Sequence, residues 1–287
     1  MNISEVLKMP QGTQGAAARA NRPESDAHWY TLAAQPMHEA GLRDARKLNL
    51  LPSITTVLKE LSATGLEIWK QNQLLTAQHE NPRHESEPLD DYFRRVVAIS
   101  REVVTEAADR GTAIHDAAER ALKGEAVDAG GDELVAVVVE WVKANIPNVI
   151  ATERVVVSLG MGLAGRMDCL AELKDLGPVV IDFKTRKFKE YKRTGWRAGW
   201  YDKDILQLAF YASCVPGGAR VANVGINTHP DAPIGAEHSI DFNLWPENEQ
   251  AEALEIVRSV VRVWQWRHKY RPEVTVENII AAEGETA

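Results

Sequence analysis

The run Val179-Val180-Ile181 is apolar and β-branched, with a turn at Asp175–Pro178 before it and Asp182-Phe183-Lys184 after it. A short run of this kind next to turn residues marks a buried strand. The segment ahead of the turn, Ala164 to Leu173, also reads as a strand. The two predict a hairpin with Asp168 on its first strand and Asp182 on its second. Residues two apart in a strand point to the same side, so Asp182 and Lys184 project together. Two carboxylates can hold a hard divalent cation. An adjacent ammonium can stabilise an attacking hydroxide or the charge building on a phosphate. Acids and lysines on adjacent strands also occur as plain surface ion pairs, so the hairpin alone leaves both readings open.

Two further patterns bear on the choice. From about Asp90 to Lys123, apolar residues (Val96, Val97, Val103, Val104, Ala107, Ala108, Ile114, Ala118, Leu122) recur at helical spacing. On that helix His115 and Glu119 share a face, and Gly111 lies one turn earlier, where a backbone can come close. A lone helical histidine is ordinarily structural; this one has a glutamate at i+4 and the hairpin downstream. The second pattern is Lys203, Gln207 and Tyr211, a polar line on a helix otherwise rich in Ile, Leu, Ala and Phe. It is either the wet edge of an amphipathic helix or a row that meets DNA or orients the lysine.

In order these elements read GTxxH, GRMD, IDFKT and QxxxY, and the set resembles the RecB-like branch of the PD-(D/E)XK nuclease superfamily from about Gly111 to Tyr211. The upstream run LPSITTVLKEL followed by GLEIWKQ (51–71) resembles the N-terminal segment of phage-borne exonucleases in that group, and more distantly that of the mitochondrial single-strand exonuclease. The resemblance implies an α/β fold with a PD-(D/E)XK nuclease core, a central mixed β-sheet flanked by α-helices. It implies that His115, Asp168, Asp182 and the main-chain carbonyl of Phe183 hold metal. Lys184 would be the catalytic lysine, with Gln207 and Tyr211 as the supporting helix motif. Glu119 and Glu153 are further candidates to touch the metal or its water, whereas Asp116 lies off the His115 face. The expected cofactor is Mg²⁺, with Mn²⁺ able to substitute, because the ligands are mostly oxygen and no thiolate is present. The cation would lower the pKa of the attacking water. Two cysteines, Cys169 and Cys214, are too few for the iron–sulfur cluster of some relatives, and no GxxxxGK[ST] loop for ATP occurs.

The net charge of −8 opposes DNA binding unless it is unevenly placed. From Lys184 to Lys203 there are eight Lys/Arg and two acids, a net of +6, which leaves −14 on the rest. Arg186, Lys187, Lys189, Lys192, Arg193, Arg197 and Lys203 interleave with Phe188, Tyr191, Trp196, Trp200 and Tyr201. Cations among aromatic faces suit a nucleic-acid backbone and unstacked bases. The plain alternative is a solvated loop whose aromatics pack it down.

At 287 residues and 45% hydrophobic content, one catalytic domain is expected over 51–271. It divides into a helical part (about 51–145), a catalytic sheet with the basic loop (about 150–243) and a C-terminal helix (246–270). Residues 1–50 are expected as a flexible arm, with a short hairpin or helix conceivable in 28–50, and 272–287 as a mobile tail. Ser53 is a plausible N-cap for a helix through Leu61. In the helix from Gly65 to Gln78, Ile68 and Leu75 should point inward. Trp264 and Trp266 should be packing residues, and His229 and His238 surface residues. The N-terminus lacks a signal-peptide pattern and no apolar run is long enough to span a bilayer, so a cytoplasmic protein is expected, in the host cytoplasm if phage-encoded. The expected partner is DNA with an end, single- or double-stranded, and no membrane. The activity expected is a Mg²⁺-dependent DNA exonuclease of phage or prophage recombination, replication or repair. Its rivals are a structure-specific endonuclease on the same core and a non-catalytic scaffold that loads a single-strand annealing protein.

Overall fold

The computed structural model describes residues 28–61, 64–275 and 278. The expected arm over 1–27 and nearly all of the tail beyond 275 lie outside the described residues. The remainder of the first fifty residues is not an arm. It forms strand β1 (Trp29–Tyr30) and helix α1 (Leu42–Leu48), and β1 pairs with β2 (Leu51–Pro52). Trp29, Tyr30, Ala45 and Leu50 are all buried, which is why this segment is ordered.

The centre is a five-stranded sheet in the order β3-β4-β5-β8-β9, comprising β3 (Val149–Ser158), β4 (Leu163–Leu173), β5 (Gly177–Arg186), β8 (Arg220–Asn227) and β9 (Ile240–Leu244). All neighbours are antiparallel except β5 and β8, so the sheet is mixed. The predicted hairpin is β4–β5. Its turn needs left-handed backbone at Asp175 (φ 63°) and Gly177 (φ 72°), which Asp tolerates and Gly adopts freely.

Val179, Val180 and Ile181 are each fully buried because β5 is central and covered on both faces. Their side chains alternate. Val180 meets the layer formed by α2 (Ile54–Val57), α6 (Asp202–Ser213) and α8 (Glu247–His268), through residues such as Leu206, Phe210, Val257 and Trp264. Val179 and Ile181 meet the opposite layer, formed by the C-terminal third of α4 (Leu89–Leu122) and by α5 (Glu133–Asn145). The result is an α/β fold with a mixed central sheet between helical layers. Among the described residues no helix is long and apolar enough to cross a membrane.

Other expectations meet mixed outcomes. Ser53 does cap α2, its Oγ accepting from the Thr56 N–H at 3.1 Å, but the helix is one turn long and continues as a 3₁₀ turn over Leu58–Glu60. Helix α3 (Thr64–Glu80) stands against α4, and Ile68 and Leu75 are exposed rather than inward. Trp264 packs in the core as expected; Trp266 is 70% exposed. The basic stretch contains a small two-stranded sheet, β6 (Lys189–Tyr191) with β7 (Gly195–Arg197), and a one-turn helix α7 (Ala236–Ser239) precedes β9.

One side chain fastens the N-terminal segment to the far end of the chain. The Tyr270 hydroxyl lies 2.9 Å from the Ala45 carbonyl and 2.7 Å from that of Leu50, and its ring meets Trp29 and Trp264. Burial pushes this hydroxyl up to about 12. A folded-state value above the ordinary one near 10 means that the contribution is complete below pH 10 and lost as pH rises toward 12. Tyr270→Phe should therefore lower stability by ~1–3 kcal/mol in denaturant titration at neutral pH. It should also lose less stability than wild type between about pH 10 and 12. Equal stability of the two proteins at pH 7 would show that the hydroxyl fastens nothing.

Candidate active site

Helix α4 crosses the sheet where it can come closest. A Cβ on Gly111 would sit 2.9 Å from Thr185 Oγ1, inside normal contact, so only glycine lets the helix lie this near β5. One and two turns further on, His115 and Glu119 reach a cleft of about 380 Å³. Glu153, Asp168, Gln207 and Tyr211 line it too. Glu119 pairs with Lys123 at 2.5 Å along the helix, at the rim. Asp116 also borders the cleft, although it lies off the His115 face.

Asp168 and Asp182 come from the two strands of the hairpin. Asp168 Oδ2 accepts from the Phe183 N–H at 2.9 Å, which locks the two strands at this level. Asp182 is 1% exposed and uses both oxygens. Oδ1 accepts from Lys184 Nζ at 2.7 Å and Oδ2 from Asn223 Nδ2 at 2.8 Å. Burial pushes Asp182 up to about 6, with Lys184 pulling down and Asp168 pushing up. Burial likewise raises Asp168. For Lys184 burial works against the ammonium, but Asp182 and Asp168 outweigh it and leave its pKa raised. His115 is lowered, first by burial and then by Lys184, and so favours the neutral imidazole.

The structure thus brings His115, Asp168, Asp182 and Lys184 to one place, with a difference of depth. Asp182 and Lys184 are not among the residues lining the cleft; Asp168 and His115 are. Among the described residues no three His, Cys, Asp or Glu side chains are gathered as a ready metal site. The donors are mostly oxygen, as a hard cation requires, and each Asp182 oxygen already accepts one hydrogen bond, from Lys184 and Asn223, so a cation there would share the carboxylate with them.

Glu153 lies within β3, between the register pairs Thr152–Cys169 and Arg154–Met167 and hence alongside Asp168. Its φ of 50° is left-handed, unusual for a non-glycine residue in a strand. That conformation accompanies a side chain that reaches the cleft, where it pairs with the Arg166 guanidinium. Burial and then Asp168 push Glu153 up to about 7.

Gln207 Nε2 donates to the Tyr211 hydroxyl at 3.0 Å, so the helix motif is coupled within itself. The Tyr211 ring rests on β4 where Gly165 leaves room; a Cβ there would stand 2.7 Å from Tyr211 Cε1. Sequence reasoning missed Asn223, Trp245 and the role of Gly165. Asn223 Oδ1 accepts from Trp245 Nε1 at 2.8 Å while its amide holds Asp182. The signal to be found was a lone amide in the apolar run Val221-Ala222-Asn223-Val224, because a buried polar side chain must have partners.

The basic stretch departs most from expectation. Arg186 points inward: its guanidinium bonds both Asp204 oxygens at 3.1 Å and lies over the rings of Trp200 (4.9 Å) and Tyr201 (5.1 Å). Trp196 is 9% exposed and lies against His229, which is half-buried, with the ring centroids 4.9 Å apart and the planes tilted by 49°. Trp200 packs with Phe188 over Gly225, where a Cβ would meet both rings at 3.1 Å. Arg186, Trp196 and Trp200 therefore anchor the β6–β7 hairpin and are not free to stack bases. Lys187, Lys189, Lys192, Arg193 and Arg197 remain exposed, and Lys203 is half-buried.

No protein-family model matches the chain, and no curated protein matches it. Among solved structures, one designated SSO0001 shares 15% identity at a TM-score of 0.31, over 70% of this chain and 87% of its own. A candidate exonuclease from Eubacterium rectale shares 14% identity at a TM-score of 0.30, over 90% and 86%. Likeness at this level carries no argument about fold or activity.

The Asn223 bridge is testable without any activity assay. Asn223→Ala leaves Asp182 Oδ2 and the Trp245 indole N–H without partners in a buried place. It should cost ~1–3 kcal/mol by chemical denaturation. It should also push Asp182 further up, read by carboxyl carbon NMR titration. An unmoved Asp182 titration would remove Asn223 from the support of the site.

Proposed function

We propose that the chain is a metal-dependent nuclease of the PD-(D/E)XK type that degrades DNA from an end. One observation carries this reading: two carboxylates and an ammonium, Asp168, Asp182 and Lys184, held together in a sheet whose buried residues are otherwise mostly apolar. Burying charge costs several kcal/mol per ion, and apolar residues of similar volume would often give an equally stable core. Strongly perturbed carboxylates beside a cleft mark a place of chemistry.

Mg²⁺, or Mn²⁺ in its place, would be held by Asp168 and Asp182 with His115 and the Phe183 carbonyl, and would supply Lewis acidity toward the phosphate. Glu153 and Glu119 stand at the rim as further oxygen donors. His115, favouring the neutral form, has a ring nitrogen to offer. In the metal-free protein Asp182 and Asp168 hold the proton on Lys184, and as an ammonium it would donate to charge growing on phosphate oxygens. Gln207 fixes the Tyr211 hydroxyl at the cleft wall. The exposed cations of the β6–β7 hairpin attract the nucleic-acid backbone, and the acidic remainder of the chain repels it elsewhere.

End-directed attack is supported by the walls of the cleft. Tyr30, Ser53 and Thr55 from the upstream segment line it together with Gly111 and Thr112 of α4. About 380 Å³ lies at the small end for binding sites and suits a strand end better than an intact duplex.

Asp182→Asn should abolish Mg²⁺-dependent cleavage while DNA binding stays within a few-fold, measured on a fluorescent duplex and by anisotropy. Wild-type turnover in this variant would sink the assignment. Neutralising Lys187, Lys189, Lys192 and Arg193 together should weaken DNA binding. Its log–log salt slope should flatten by roughly 0.7–0.9 for every phosphate that the hairpin no longer neutralises. An unchanged affinity and slope would leave the hairpin a solvated face. Linear plasmid should disappear with time in Mg²⁺ while covalently closed plasmid persists. Equal loss of both forms would favour a structure-specific endonuclease instead.

A further inference from the structure

Helix α8 buries one face through Val257, Val260, Val261 and Trp264. Its other face leaves Ile256 42%, Val263 49% and Trp266 70% exposed. Together with exposed Ser259, these residues follow one another at spacings of three, four and three, a single stripe down the helix. Isolated exposed apolar residues are ordinary, but a continuous stripe ending in an open tryptophan has the character of an interface.

The charges on α8 say what fits against it. Glu247, Glu249, Glu252 and Glu255 occupy its first half, and Arg258, Arg262, Arg267 and Lys269 occupy and follow its second. A second such helix laid parallel would set acid beside acid and base beside base. Laid antiparallel, it sets the acidic half of each against the basic half of the other. Few surfaces are complementary to themselves, and one that is fits a two-fold axis.

We propose that α8 is a self-association surface, on which a second copy of this chain docks with its own α8 antiparallel, about a two-fold axis near Ser259. The small Ser259 side chain permits close approach at the axis, and the three–four spacing suits a shallow crossing angle. Glu255 of each copy then faces Arg262 of the other. Two present partners on this face are exchangeable surface contacts, Glu255 with Arg258 on the same helix and Lys269 over the Trp266 ring at 4.5 Å, whereas Arg267 is held by the largely buried Glu60 and Glu247 by Arg220.

Sedimentation velocity on the full chain, from low to high micromolar, should move from monomer to dimer. Val263→Ser with Trp266→Ser should weaken dimerisation at least about tenfold with an unchanged circular dichroism spectrum. Glu255→Arg alone and Arg262→Glu alone should each weaken it by placing like charges across the axis. An equimolar mixture of those two variants should restore association as a heterodimer. A monomer at every concentration overturns the proposal. A dimer indifferent to the stripe variants overturns it as well, and so does a mixture that associates no better than its components.

Discussion

The carboxylate of Asp182 is the point on which the rest of the site depends. It is an ionisable group at the centre of a sheet, and both its oxygens are engaged from different directions. Lys184 reaches it along its own strand, and Asn223 from the parallel neighbour β8. The Asn223 amide is itself oriented by the indole N–H of Trp245, just ahead of α8. A chain of hydrogen bonds thus runs from the start of the last helix to the lysine beside the cleft. Fully satisfied buried networks of this kind fix one arrangement, and they are intolerant of losing a member.

Depth is the second constraint. The cleft is framed by elements that approach the sheet more closely than side chains normally allow, and glycine supplies each approach. Gly111 sets α4 on β5 at Thr185, and Gly165 gives the Tyr211 ring its seat on β4. Gly225 receives Phe188 and Trp200 at the root of the basic hairpin. A single added carbon at any of the three would push an element outward by several tenths of an ångström. Packed interiors do not absorb that without a shift elsewhere.

The hairpin of β4 and β5, the long helix bearing His115 and the helix bearing Gln207 and Tyr211 are legible in the sequence, because each obeys one simple periodicity. Two-residue alternation places Asp182 with Lys184, and 3.6-residue periodicity places Gly111, His115 and Glu119 on one face. What the sequence hides depends on tertiary partners. Glu153 enters the cleft in a left-handed conformation within its strand, which no local pattern announces. Trp29 looks like part of an unpatterned arm until Trp264 and Tyr270, more than two hundred residues later, supply its packing. Ile68 and Leu75 have helical spacing but stay exposed, since the helix that carries them packs along α4.

The basic stretch shows the same limit from the side of charge. Composition marks it as one cationic block, yet its members have two different jobs. Arg186 is locked to Asp204 between two aromatic rings, a partly buried pair whose energetic weight lies in holding α6 against the hairpin. Trp196 is buried beside His229 and Trp200 is half-buried beneath Arg186, so the hairpin is fastened at its base while its lysines and Arg193 and Arg197 stay in solvent. The exposed cations of the hairpin concentrate positive charge locally on a chain of net charge −8. Under the proposed function, such a concentration of charge would guide a polyanion by position instead of by bulk attraction. The carboxylates themselves lie where Lys184 offsets their charge. Under the proposed function, a cation held by these carboxylates would share Asp182 with that lysine, which would link metal binding to the single interaction at the centre of the sheet.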